Sequence, residues 1–227
     1  MSTFEGLAGV AERQLGLVTT GQAERIGIKP NQLARFAAEG LVWEPDWSVF
    51  QLTSSEVAPR YSYPYAAWLA LAPNLFAWER PPAVHEDAVL SHESACQVWG
   101  LGSFAAPAVR FVAPVRLADV RAVDVRLDVL TPDQVTRHHG VPVTTAQRVL
   151  VDLLRDGTDQ HDVRRALTDA VRLDLVDLQA VYDDLAGQFQ LPVDGAEFAG
   201  RLLGELEISA LSERNQRAFD ALVASRG

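Results

Sequence analysis

Polar side chains suited to reading DNA bases follow Pro30, at the start of a short predicted helix. Asn31 and Gln32 each carry a donor and an acceptor on one amide group, which matches the major-groove edge of adenine. Arg35 lies one turn further along and suits guanine or a phosphate group. The residues that this pattern assigns to DNA contact are Thr20, Lys29, Asn31, Gln32, Arg35, Trp47 and Ser48, with Thr20 and Lys29 holding phosphates.

The segment around these residues, from Val18 to Leu52, has the pattern of a helix-turn-helix. Thr19 and Gln22 have the spacing of a capping box, so a helix is predicted to begin there. Gly27 supplies a left-handed residue at the end of this helix, and Pro30 suits the first position of the next one. The second helix is predicted to bury Leu33, Phe36 and Ala37.

A predicted hairpin, residues 41–43 and 49–52 around the turn EPDWS, follows the second helix. This order of elements is typical of a winged helix-turn-helix, whose second helix enters the major groove. Wings that touch DNA usually present Lys or Arg to phosphates, whereas this turn carries Glu44 and Asp46. Residues 1–60 hold five basic and seven acidic side chains. A winged helix that docks a protein is therefore the alternative interpretation.

The chain lacks the spacings expected of a catalytic or metal site. Lys29 is the only lysine, which argues against Schiff-base, P-loop and kinase chemistry. Ser91 precedes His92, but adjacent residues at a helix start are not expected to face each other, and no G-x-S-x-G elbow surrounds them. The five histidines show no H-x-x-x-H spacing and the chain has no C-x-x-C. We therefore expect no metal, no cofactor and no enzymatic activity.

The length of 227 residues suits one large or two small domains. The net charge of −10 means that any DNA contact must be a local patch. Cys96 is the only cysteine, which fits a reducing cytoplasm, and we expect it to be a small buried helix residue. The sequence has no apolar run of membrane-spanning length and no leader pattern at its N-terminus, so a cytoplasmic location without membrane contact is expected.

Residues 108–148 form a net-basic stretch, with six arginines against four acids. A period of two in RAVDVRLDVL predicts a strand that buries Val123, Val125, Leu127 and Val129. The arginines of a second candidate DNA surface, which His138 and His139 would extend, are Arg110, Arg116, Arg121 and Arg126. The alternative, of equal weight, is that arginines and aspartates pair across neighbouring strands.

A polar, proline-punctuated stretch after Leu52 predicts a linker, followed by a helix over residues 64–71. Basic and aromatic side chains cluster there, namely Arg60, Tyr61, Tyr63, Tyr65 and Trp68. We favour a role for this cluster in docking one domain onto the next. Stacking on nucleic acid bases is the alternative.

The predicted fold is α+β, with an N-terminal winged helix-turn-helix followed by a mixed α/β domain that ends in a helical layer. The predicted boundaries are residues 1–55 for the winged helix, 56–75 for the linker and docking helix, and 76–227 for the α/β domain. Helices are expected at 4–15, at 92–99 after a cap at Ser91, and at 146–154 after a short strand. Further helices are expected at 161–171, 177–185, 196–206 and 212–225.

Three blocks of this sequence, taken together, resemble the AbiEi family of type IV toxin–antitoxin systems. They are the winged-helix segment 18–52, VLSHESACQVWGL at 89–101 and GVPVTTAQRVLVDLL at 140–154, and the resemblance covers residues 4–170. It implies a winged helix that binds inverted repeats of double-stranded DNA in the promoter of its own operon. It also implies an α/β domain needed for antitoxicity, and a nucleotidyltransferase-like cognate toxin that need not form a stable complex.

A related lineage joins similar N-terminal blocks to a Vsr-like nuclease domain. That domain would need a carboxylate–x–Lys core after residue 154, where this chain has no lysine. The expected function is therefore a DNA-binding antitoxin that represses its own operon. The alternative is a protein-interaction module whose winged helix and acidic C-terminal domain bind a protein partner.

Overall fold

The computed structural model describes residues 3–188 and 211–224, and the helix predicted at 196–206 lies outside them. The fold is mixed α+β with two sheets, as predicted at that level. No helix in the described part of the chain is long and apolar enough to cross a membrane.

The N-terminal elements follow the order helix, strand, helix, helix and hairpin. The helices are α1 (Thr3–Ala11), α2 (Thr20–Arg25) and α3 (Pro30–Ala38), and the strands are β1 (Leu17–Thr19), β2 (Val42–Asp46) and β3 (Val49–Leu52). Helix α1 is shorter than the predicted 4–15, because a 3₁₀ turn over Glu12–Gln14 replaces its last turn. Leu15 then adopts a left-handed backbone with φ 56°, which stops the helix.

The first sheet has the strand order β1-β3-β2, and both pairings are antiparallel. Strand β1 is only three residues long and all three are buried, so its sequence offered no alternation from which to predict it. The β2–β3 hairpin is confirmed, but its turn is shorter than the predicted EPDWS. Trp47 and Ser48 both have positive φ, at 57° and 54°, and close a two-residue turn.

The core beneath this sheet joins α1, α2, α3 and the hairpin. Its buried members are Leu7, Ala11, Val18, Ala23, Ile28, Leu33, Phe36, Val42 and Leu52. The predicted burial of Leu33 and Phe36 on α3 is confirmed. The predicted burial of Ala37 is wrong, because Ala37 is exposed on the flank of the helix.

Helix α4 (Pro59–Ala70) begins five residues before the predicted start at residue 64. Pro59 occupies the first turn, where a missing N–H is tolerated, so the helix begins within the stretch predicted as linker. Trp68 is fully buried and donates its indole N–H to the carbonyl of Ala88 at 3.0 Å. Tyr61 and Tyr65 are also buried, whereas Tyr63 of the same predicted cluster is 42% exposed.

The second sheet has the order β6-β5-β4-β8-β7. Its strands are β4 (Val89–Leu90), β5 (Val109–Ala113), β6 (Val123–Leu127), β7 (Val135–His138) and β8 (Val141–Thr144). The two-residue strand β4 lies in the middle, antiparallel to β5 and parallel to β8. Strands β5 and β6 run parallel in register from Val109 beside Val123 to Ala113 beside Leu127, and residues 114–122 form the crossover between them.

The burial predicted for the alternating residues of β6 is wrong. Val123 and Val125 are only half-buried, and Leu127 and Val129 are 70% and 73% exposed. The strand lies at the edge of the sheet, so its aliphatic face lacks the covering layer that the alternation predicted. By contrast, Val109 and Phe111 on β5 are buried.

The chain divides into two compact units. One consists of residues 3–90 and 106–143, and so contains both sheets almost entirely; the other consists of residues 91–105 with the described residues from 144 onward. The predicted boundaries at residues 55 and 75 do not separate these units. The first unit ends at Leu90, the last residue of β4, and the helix that begins at His92 belongs to the second unit. No linker composition marks this division in the sequence.

The second unit is helical. Its helices are α5 (His92–Trp99), α6 (Ala146–Arg155), α7 (Gln160–Arg172), α8 (Leu178–Gln188) and α9 (Glu213–Ala224). Helix α6 is capped by Thr145, whose hydroxyl accepts the N–H of Arg148, and it buries Val149, Leu150, Leu153 and Leu154. Buried Asn215 of α9 accepts the N–H of Leu178 at 3.0 Å and so fastens α9 to the start of α8.

Candidate nucleic-acid interface

The turn between α2 and α3 is held by local hydrogen bonds that the sequence predicts. The hydroxyl of Thr19 accepts the N–H of Gln22 at 3.0 Å, and the side chain of Gln22 accepts the N–H of Thr19 at 3.0 Å, which confirms the capping box. Gly27 has φ +83° and ends α2, as predicted. Ile28 is buried beneath the turn, so the start of α3 is set by packing as well as by hydrogen bonds.

The first turn of α3 leaves Lys29 and Asn31 exposed. The N–H of Lys29 donates to Oε1 of Gln32 at 2.8 Å. Gln32 therefore uses one lone pair of its amide oxygen to cap the helix. Asn31 is the amide that faces solvent for a contact with adenine.

Arg35 lies on the exposed face of α3, opposite the buried Leu33 and Phe36. Its side chain is 61% exposed, and its Nε lies 3.7 Å from Oε1 of Glu39 one turn later. An exposed pair at this distance contributes little, at most about 1 kcal/mol. A phosphate or a guanine edge can therefore compete with Glu39 for this guanidinium.

Thr20 and Ser48 connect the start of α2 to the turn of the hairpin. The backbone N–H and the hydroxyl of Thr20 both donate to the carbonyl of Ser48, at 3.0 and 3.2 Å. The N–H of Ser48 donates to Oε1 of Glu44 at 3.0 Å. The hydroxyl through which Thr20 was predicted to hold a phosphate is therefore engaged within the protein, as are the backbone carbonyl and N–H of Ser48.

Trp47, at the tip of the hairpin, is half-buried against its own chain. Its indole N–H donates to the carbonyl of Arg121 at 2.6 Å, and its ring lies against Tyr63 with centroids 4.8 Å apart. The guanidinium of Arg121 pairs with the carboxylate of Asp46. The hairpin tip is thus fastened to the crossover between β5 and β6.

The four arginines of the second predicted surface do not form one group of unpaired cations. Arg110 pairs with Asp124 of the neighbouring strand, Nε to Oδ2 at 3.3 Å, and Arg121 pairs with Asp46. Arg126 is exposed but makes contacts within its own chain. Arg116 is exposed on the crossover. The pairing across strands that was given equal weight accounts for Arg110, and the second surface as a whole stays a prediction.

The structure brings together a basic and aromatic cluster that the sequence presented as two separate motifs. The guanidinium of Arg60 lies over the ring of Tyr61 at 4.7 Å, and the ring of His139 stacks on the same tyrosine with centroids 4.3 Å apart. His138 meets Tyr61 edge-on at 5.8 Å, and its partial burial, with positive charge nearby, lowers its pKa. We name residues 60, 61, 138 and 139 the Arg60 cluster. In the sequence, the feature that could have indicated this cluster is the H-H-G turn at residues 138–140, which connects β7 to β8.

Ser91 and His92 do face each other, so the expectation from their adjacency is wrong. His92 adopts φ +51°, and this backbone turns its ring so that Nδ1 lies 2.9 Å from the hydroxyl of Ser91. Its Nε2 lies 3.4 Å from Oδ2 of Asp156. Ser91 has no exposed surface and His92 is 2% exposed, so the serine and histidine of this Ser–His–Asp chain are buried.

No protein-family model and no curated protein matches the chain. Among solved structures, the chain is similar to the crystal structure of the RV2827C protein from Mycobacterium tuberculosis, with 18% sequence identity and a TM-score of 0.51. The similarity covers 99% of this chain and 81% of that protein. At this level of identity, the two chains share a fold and the similarity goes no further than that.

Proposed function

We propose that residues 17–52 form a winged helix-turn-helix that binds double-stranded DNA through α3. The observation that carries this proposal is the division of α3 into two faces. Leu33 and Phe36 are buried in the core, while Lys29, Asn31 and Arg35 lie exposed on the remaining surface. A recognition helix needs such a division, because it must be held by its scaffold and offer polar groups to base edges.

The three exposed polar residues at the start and on the outer face of α3 have distinct proposed roles. Asn31 reads adenine through its free amide, Arg35 binds guanine or phosphate, and Lys29 binds a phosphate next to the helix start. The hairpin contributes less than the wing of a typical DNA-binding domain, because Trp47 and Arg121 engage each other and Asp46 is acidic. Affinity therefore rests on the helix, and we expect the salt dependence of binding to be shallow.

We further propose that the protein is a cytoplasmic antitoxin that represses its own operon and counters a nucleotidyltransferase-like toxin. This part rests on the resemblance of three sequence blocks to the AbiEi family. One of those blocks, residues 140–154, provides strand β8 and helix α6.

One observation favours a second function, in which the same helix and hairpin bind a protein. Glu39 and Glu44 are exposed near the proposed DNA-contacting face and would repel phosphates. They would instead attract a basic partner surface. The two functions differ in their requirement for DNA, so one binding experiment separates them.

The experiment is a gel-shift titration of the promoter fragment upstream of the gene, with the full chain, over a series of salt concentrations. Under the DNA-binding proposal, Arg35→Ala weakens binding by about 1–3 kcal/mol, roughly fivefold or more, because a base or phosphate contact is lost. Arg172→Ala is the matched control, since Arg172 is 64% exposed and pairs with Asp169 on its own helix, much as Arg35 pairs with Glu39.

Three outcomes decide the matter. Loss of binding in the Arg35 variant alone supports the proposal. Equal loss in both variants points to a non-specific effect of charge, and no shift for the wild-type chain at low salt overturns DNA binding. If the wild-type chain does not bind DNA but still protects cells that express the neighbouring toxin, that result favours the protein-binding function.

A further inference from the structure

The outer edge of strand β6 lies open in the part of the chain that the structure describes. Strand β6 is the terminal strand of the five-stranded sheet and is paired only with β5. Leu127, the last residue of β6, is 70% exposed. Val129, two residues later, is 73% exposed, and Val115 of the crossover is 58% exposed. An exposed edge with aliphatic side chains is a site at which another strand can add to a sheet.

The backbone groups available for pairing follow from the bonds that β6 makes on its inner side. Ala122 accepts the N–H of Val109, and the N–H of Asp128 donates to Ala113, so even-numbered residues face β5. Alternation along a strand then directs the N–H and C=O groups of Val123, Val125 and Leu127 outward. The N–H of Val123 is already donated to Val120, which leaves five outward groups.

The charges on β6 are complementary to a second copy of the same strand in one antiparallel register. Centring the pair on Val125 places Asp124 opposite Arg126 of the other copy, twice by symmetry, and Val123 opposite Leu127. Moving the centre to residue 124 sets Asp124 against itself, and moving it to residue 126 sets Arg126 against itself. Like charges directly opposite each other are unfavourable, so of these three registers the charges favour the one centred on Val125.

Backbone geometry supports the same register. Because the N–H and C=O groups of Val125 point outward, Val125 forms a hydrogen-bonded pair with Val125 of the second copy. The N–H of Leu127 then reaches the carbonyl of Val123 of the second copy. Asp124 and Arg126 then occupy the non-hydrogen-bonded positions, where opposite side chains come closest. The aliphatic side chains of both strands share one face, beside a cleft of about 310 Å³ that the crossover residues 115–120 line.

We propose that the chain forms a homodimer by antiparallel pairing of β6 with β6 of a second copy, centred on Val125. This dimer joins two five-stranded sheets into a single sheet of ten strands. The proposal is independent of DNA binding, since it rests on the edge strand and its charges. Should the proposed DNA binding also hold, the dimer presents two copies of α3 related by a two-fold axis, the symmetry of an inverted repeat.

The test uses two single charge reversals, Asp124→Arg and Arg126→Asp, in the full chain. Sedimentation velocity over a concentration series is expected to show a wild-type dimer and an increase of about tenfold or more in the dissociation constant of each variant, because two attractive pairs become repulsive. Mixing the two variants in equal amounts restores a dimer, since the two arginines on β6 of one variant then face the two aspartates on β6 of the other. The double variant D124R/R126D also restores it.

The mixture controls for folding. Asp124→Arg also removes the pair with Arg110, and a variant that merely unfolds does not recover its partner on mixing. A wild-type chain that stays monomeric throughout the series overturns the proposal. So do single variants that dimerise like the wild type, and single variants whose mixture remains monomeric.

Discussion

The indole N–H of Trp47 donates to the backbone carbonyl of Arg121, 74 residues away, with 2.6 Å between nitrogen and oxygen. The guanidinium of Arg121 closes the arrangement by pairing with Asp46, which also accepts the backbone N–H of Trp47 at 2.8 Å. These bonds therefore hold the tip of the hairpin against the crossover between β5 and β6. This relationship places the acidic Asp46 at the tip of the hairpin.

Replacing Asp46 tests what that acidic group does. Under the proposed function, Asp46→Asn removes a negative charge close to the duplex and releases Arg121 for a phosphate. We expect promoter binding to tighten a few-fold at low salt, and the slope of log affinity against log salt to steepen by about one. Fluorescence anisotropy with a labelled promoter fragment measures both. Asp183→Asn, an exposed carboxylate on α8, is the control and should leave both unchanged. Unaltered binding in the Asp46 variant would mean that the hairpin tip stays away from DNA.

Arg80 and Asp87 form a buried ion pair in the first unit. Their bonds measure 2.8 Å from Nε to Oδ2 and 2.5 Å from Nη2 to Oδ1, and the side chains are 2% and 7% exposed. Arg80 also donates to the carbonyl of Trp68 and lies 3.8 Å above its ring. Burial lowers the pKa of Arg80, while Asp87 opposes this shift.

Asp87→Ala is therefore expected to reduce the free energy of unfolding by about 3–5 kcal/mol, because it leaves a buried charge without its partner. Urea titration followed by tryptophan fluorescence measures the loss. Asp133→Ala removes an exposed carboxylate and should change stability by less than about 0.5 kcal/mol. Comparable stability of the two variants would show that Arg80 finds solvent or another partner.

Glu79 gives the protein a defined pH dependence. Its carboxylate accepts hydrogen bonds from the guanidinium of Arg25 and from the N–H of Phe76, and these bonds lower its pKa from 4.5 to about 2. A carboxyl group with a depressed folded-state pKa stabilises the native state above its unfolded-state pKa. This stabilisation is lost as the pH falls through the folded-state value.

Glu79→Gln should accordingly lower the melting temperature modestly at pH 7, since the pair is partly exposed and screened by solvent. The difference from the wild type should shrink as the pH falls from 4.5 towards 2. Differential scanning calorimetry across this range measures it, with Glu12→Gln, an exposed residue, as the reference. A difference that is constant with pH would mean that Glu79 acts through packing and not through its charge.

Much of the α2–α3 segment could be predicted from the sequence because its determinants are local. The capping box of Thr19 and Gln22 spans three residues, and Gly27 and Pro30 each act through their own φ angle. The burial of Leu33 and Phe36 follows from helical periodicity. These features depend only on neighbours a few positions apart.

Other features depended on contacts that no local pattern contains. The alternation in RAVDVRLDVL correctly indicates a strand, but whether its aliphatic face is buried depends on the place of β6 in the sheet order, and that place is the edge. The Arg60 cluster and the Ser–His–Asp chain likewise join residues that are far apart in sequence or turned by an unusual φ.

For this protein, short-range backbone preferences encoded in the sequence determined which segments became helices and where α2 and α3 begin. The order of the strands decided which charged and apolar side chains remain exposed, and the tertiary fold brought Trp47 to Arg121, 74 residues away in the sequence. The physical reason is that hydrogen bonding within a few residues follows from local φ and ψ preferences, whereas burial depends on which surfaces the completed fold brings together.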